Sequence, residues 1–109
     1  MIKVSMYNNE EGKIIGFRCW GHAEFAESGQ DIVCSAVSAL VINTMNSIES
    51  FTPDTFEYKE NEKNGMIDFK IISDLSNESS LLLNSLFLGL QGIQEGYGQE
   101  YIKFVEQNK

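Results

Sequence analysis

Two residue types capable of nucleophilic chemistry stand close together in the sequence. The only histidine is His22, and the two cysteines are Cys19 and Cys34. His22 falls where a β-branched and aromatic run ends. Cys34 lies twelve positions later, near the start of a helical period opened by Asp31. A thiol in the first turn of a helix feels the positive end of the helix dipole and nearby backbone amides, both of which favour thiolate. An imidazole beside it accepts the proton and completes the activated pair that thiol chemistry requires. Asp31, three positions before Cys34, and Ser38, one turn after it, are candidates to orient His22 or to hydrogen-bond a reacting group. Spacing alone leaves a plainer reading open, in which His22 is a surface residue, Cys34 a small buried hydrophobe and Asp31 a helix cap. Cys19 falls on the inferred core face of its strand and reads as structural. Cys19, His22 and Cys34 lack a fourth zinc ligand at familiar spacing, so no metal is expected. Neither Cys-x-x-Cys nor a glycine-rich phosphate loop is present, and no cofactor is expected.

The elements that must position this pair follow from hydrophobic period. Ile2 to Tyr7 places Ile2, Val4 and Met6 on one face, and after a polar turn containing Gly12, Ile14 to Trp20 forms the second arm of a hairpin. Strict alternation puts Ile15, Phe17 and Cys19 toward the core and Ile14, Gly16, Arg18 and Trp20 away from it. Gly21 to Gln30 is a loop with Gly21 and Gly29 as hinges and Ala23 and Phe25 between them, placed to move over a substrate. Asp31 caps a helix running to about Glu49 on Val33, Val37, Leu40, Val41, Thr44, Met45 and Ile48. Thr55 to Tyr58 and Met66 to Ile72 form a second hairpin around Asn64-Gly65. Ser76 to about Gln94 is a second helix, in which Gly89, Gly92 and Gly96 suit close packing, and Tyr101 to Val105 is a last strand. The expected fold is a small single α/β domain, 1–109, of order β-β-α-β-β-α-β, with two helices packed on a mixed or antiparallel sheet.

Composition narrows the partners. Sixteen acidic residues against eight basic ones give a net charge of −8 in 109 residues, an imbalance that disfavours nucleic acid as a direct partner and favours a basic one. No stretch reads as the ~20 apolar residues of a membrane span. Met1 to Tyr7 has no apolar run of signal-peptide length, so the expected compartment is the cytoplasm, where both thiols stay reduced.

Taken whole, the segment from Gly21 to Ser38 resembles the ribosomal-processing cysteine protease family known as Prp. Gly-His-Ala, a glycine-containing loop, and Gly-Gln-Asp-Ile-Val-Cys-Ser-Ala-Val-Ser carry the resemblance. Leu-x-Leu-Gln-Gly-Ile at Leu88 to Ile93 extends it toward the C-terminus, and length and element order agree over nearly the whole chain. The resemblance implies a homodimeric cytoplasmic endopeptidase that removes the N-terminal extension of a large-subunit ribosomal protein. Cys34 then matches the nucleophile and His22 the acid/base, with Asp31 and Ser38 in supporting positions. One departure stands at Tyr97-Gly98, where the family often has Tyr-Pro. A thiol hydrolase acting on esters or thioesters would use similar residues, and a dimeric module binding a ribosomal protein without cutting it is the non-enzymatic alternative.

Overall fold

The computed structural model describes residues 1–21 and 28–106, with side chains described for 1–21 and 32–106. Seven elements follow the expected order: β1 (Ile2–Asn8), β2 (Ile14–Trp20), α1 (Ser28–Phe51), β3 (Phe56–Asn61), β4 (Met66–Ile71), α2 (Asn77–Tyr97) and β5 (Ile102–Phe104). The strands form one sheet in the order β3-β4-β2-β1-β5. The two hairpins join through antiparallel β2 and β4, whereas β5 runs parallel to β1, so the sheet is mixed.

One face of this sheet is apolar because β1, β2 and β4 alternate. Ile2, Val4, Phe17, Cys19, Phe69 and Ile71 meet Val33, Val37, Val41 and Ile48 from α1 and Leu83, Leu86 and Leu90 from α2 in a single core. Phe17 and Phe69 are register partners, both fully buried, with ring centroids 5.4 Å apart. Strict alternation fails at one position of β2. Gly16 pairs with Tyr7 and Ile14 with Asn8, so Ile15 is the extra residue of a β-bulge. Ile14 consequently joins the core while Ile15, expected there, is only half-buried.

Helix α1 is longer than its period suggested at both ends. It begins at Ser28, which places Gly29 and Asp31 inside its first turn instead of in a loop and at a cap. It also corrects the expectation that no stretch has membrane-spanning length. Ile32–Phe51 is a 20-residue segment of mean hydropathy 1.4, long and apolar enough by length and composition alone. Interspersed Ser, Asn and Thr residues break up the run in the sequence, and the structure turns its Val33, Val37, Val41 and Ile48 face onto the sheet.

Helix α2 begins as expected. Ser76 is the N-cap, its hydroxyl accepting from the Ser79 amide at 3.1 Å. Ser76 is held in turn by buried Asp54, whose Oδ2 accepts from the Ser76 amide at 3.0 Å and from its hydroxyl at 2.8 Å. Burial opposes the Asp54 charge, but these bonds and one from Ser79 outweigh it and hold its carboxyl below the usual range. Close packing explains only one of the three helix glycines. A Cβ on Gly89 would stand 2.9 Å from Leu40 Cδ1 on α1, whereas Gly92 and Gly96 face open space. The helix leaves through Gly98, whose N–H donates to the Gln94 carbonyl at 2.8 Å. A proline there would have no N–H to give.

Candidate active site

The nucleophile candidate is carried by α1 and faced by the ends of β1, β2 and β4. Cys34 is buried, 7% exposed, in the turn after the helix's first. It shares a cavity of about 40 Å³ with Ile2, Cys19, Trp20, Val37, Ser38, Val41, Gly65 and Ile67. The register explains the grouping: Cys19 on β2 is opposite both Val4 on β1 and Ile67 on β4, so three strands converge under Cys34. Ser38, exposed and one helical turn from Cys34, is the hydroxyl lining that space. The helix start at Ser28 corrects one sequence expectation. Cys34 lies beyond the first turn, so its own amide belongs to the helical ladder and is not among the open donors.

Cys19 behaves as a core residue. It is 5% exposed, and burial pushes its thiol from the ordinary 9.0 up to about 12. It still forms part of the cavity floor, a role that strand alternation alone did not suggest. Gly21, directly after β2, has φ +90°, and a Cβ there would collide with the Met1 carbonyl oxygen. The residue therefore fixes a turn against the N-terminus at the point where the chain leaves toward His22. His22, Ala23 and Phe25 lie outside the described residues. Asp31 is placed one helical turn before Cys34.

The sequence reading missed the cavity walls. Gly65 and Ile67 reach Cys34 only through the β2–β4 pairing, and Trp20, which alternation set away from the core, borders the same cavity; its position two residues before His22 was a usable signal. It also missed a polar cluster on the opposite sheet face. Asp68 Oδ2 takes Arg18 Nη2 at 2.7 Å, Arg18 Nε at 2.8 Å and the Tyr7 hydroxyl at 2.8 Å. Burial first, then Asp68, pushes the Tyr7 phenol up to about 12.

Comparison with known proteins decides the family. The model of the family described as cysteine protease Prp matches residues 1–103. The chain belongs to the Prp family. A ribosomal processing cysteine protease Prp from Staphylococcus aureus (strain Mu50) is 30% identical over 99 residues, covering 91% of this chain and 93% of the relative. A crystal structure of an essential ribosomal processing protease Prp from S. aureus in complex with a substrate peptide superposes with a TM-score of 0.89 at 29% identity, covering 98% of this chain and 100% of that one. A second, with a covalently linked product peptide, gives a TM-score of 0.85 at 30% identity, again covering 98% and 100%. By family this Prp protein is a cysteine protease, and its fold is the Prp fold.

Proposed function

We propose that the protein removes the N-terminal extension of a large-subunit ribosomal protein, with Cys34 as nucleophile and His22 as acid/base. The observation that carries this reading is Cys34 on the wall of a cavity it shares with the Ser38 hydroxyl, in a chain whose S. aureus relative has been solved with a substrate peptide.

In this mechanism His22 takes the Cys34 proton and the thiolate attacks the scissile carbonyl carbon. The oxyanion collapses, the carbon–nitrogen bond breaks, and the departing amine takes its proton from the His22 imidazolium. A thioester remains on Cys34. Water, giving a proton to His22, then attacks the thioester and releases the acid and the thiol. Such proton transfers typically contribute about 10²–10⁴-fold. Because the Cys34 amide is tied into the helix, the oxyanion needs another donor, and the Ser38 hydroxyl in the same cavity supplies it. Asp31 acts as a positioning residue for His22, and the segment containing Ala23 and Phe25 borders the substrate, with Gly21 and Gly29 at its two ends. No cofactor enters any step.

The −8 charge suits a basic ribosomal-protein substrate met in the cytoplasm. Exposed Leu81 and Leu88, on one side of α2, suit a second copy of the chain in a homodimer. The test is incubation with the large-subunit protein bearing its extension, followed by intact-mass analysis. Loss of the extension with wild type and no loss with Cys34→Ala is expected. Binding without any product would refute the protease reading in favour of a docking module, and turnover confined to thioesters would make the protein a different thiol hydrolase.

A further inference from the structure

The charge of the chain is unevenly distributed. Both helices pack on one face of the sheet. Strand alternation and register assign to the other face Lys3 on β1, Arg18 on β2, Lys70 on β4, Lys59 on β3 and Lys103 on β5, with Glu57 and Asp68 as its acids. Five cations against two anions make this face +3, leaving three cations and fourteen anions, or −11, for everything else.

The cations are available. All five are exposed, and among the described residues only Arg18 is in an ion pair. Asp68 is already occupied by Arg18 and the Tyr7 hydroxyl, which offsets one of the two acids. Between Tyr7, Glu57, Lys59, Asp68 and Lys70 lies an open depression of about 180 Å³. At the other end, the register sets Lys103 beside Lys3 and Lys3 beside half-buried Trp20, an aromatic next to two cations. With strands about 4.8 Å apart, the five-stranded face spans about 19 Å, enough for several successive phosphates.

We infer that the helix-free sheet face docks the phosphate backbone of single-stranded RNA. The whole-chain charge disfavours nucleic acid only on average, and this face is the exception. An extended polyanion suits cations distributed over all five strands, and the aromatic at the end of the Lys103–Lys3 row suits a stacked base better than an acidic peptide. The five cations lie on the far side of the sheet from Cys34, with Trp20 alone also bordering its cavity, and the contact goes beyond the proteolytic reading without requiring it.

The test is fluorescence anisotropy with a labelled single-stranded RNA of about 16 nucleotides. Binding is expected at roughly 10⁻⁴–10⁻⁶ M near physiological salt, with log K falling against log salt at a slope of about −2 to −3.5 for three to five phosphates. Lys59→Gln/Lys70→Gln/Lys103→Gln makes the face neutral. It should weaken binding at least about tenfold and flatten the slope, while Lys13→Gln/Lys63→Gln, off this face, leaves both unchanged. Peptide cleavage, measured separately, should be the same in both variants, so loss of RNA binding and loss of protease activity are read independently. Equal effects of the two variants, no binding at low salt, or displacement of RNA by polyglutamate at equal charge would overturn the inference, the last pointing to an acidic protein instead.

Discussion

The two thiols line one cavity and are almost equally buried, yet they should differ sharply in reactivity, because burial alone acts on the Cys19 thiol whereas His22 is proposed to take the Cys34 proton. Cys19 is 5% exposed and its thiol is pushed from 9.0 to about 12. Three pH units leave about a thousandfold less thiolate at neutral pH than an ordinary cysteine has, before steric exclusion is counted. Treating the native protein with iodoacetamide at neutral pH should therefore add one carbamidomethyl group, at Cys34, with Cys19 modified only as the chain unfolds. Peptide mapping by mass spectrometry locates the adduct, and rates with and without denaturant separate the thiols. The same shift sets a pH dependence. Between about pH 9 and 12 the unfolded Cys19 ionises while the folded one keeps its proton, so the folded state holds more protons and stability falls with rising pH, by up to about 1.4 kcal/mol per unit. Cys19→Val should flatten that alkaline limb. Labelling of native Cys19 at a rate comparable to Cys34, or an alkaline limb unchanged in Cys19→Val, would refute this account of the cavity floor.

Other substitutions probe separate parts of the structure. Cys34→Ala should abolish peptide cleavage yet cost only about 1 kcal/mol, a melting-point drop of about 4–8 °C by calorimetry. Gly21→Ala places a Cβ against the Met1 carbonyl at positive φ, so a loss of about 1–3 kcal/mol and reduced cleavage are expected from denaturant titration and peptide assay. Asp54→Asn removes a charged acceptor from the α2 cap and should cost about 2 kcal/mol. Because the Asp54 carboxyl sits below its usual range when folded, that stabilisation is complete above the unfolded value and disappears as pH falls through the folded one. The wild-type and Asp54→Asn melting curves should accordingly converge in acid.

What the sequence made legible was local. Period placed Phe17, Cys19, Val33, Val37 and Leu86 in the core, and a hydroxyl before α2 marked its cap. The Ile15 bulge was hidden because alternation carries no mark of an inserted residue. Gly65 and Ile67 were hidden as cavity walls because the β2–β4 register joins segments nearly fifty residues apart, and Trp20 because alternation set it on the other face. The basic sheet face was hidden for the same reason, since a sum of charges has no geometry. The segment from Gly21 to Ser38 was the exception, because several chemically constrained residues fall within one short run.

The parallel pairing of β1 with β5 links the site to the last strand of the sheet. Ile2 forms part of the Cys34 cavity, and its amide donates to the Tyr101 carbonyl while Ile2 stands beside Ile102 in the register. The first strand therefore has no outer neighbour until residues 101–105 have been made. During translation, Cys34 emerges long before the wall that faces it is secured. A chain cut before residue 101 would keep Cys34 but leave β1 unpaired on its outer side, so removal of β5 should loosen the Ile2 wall of the cavity.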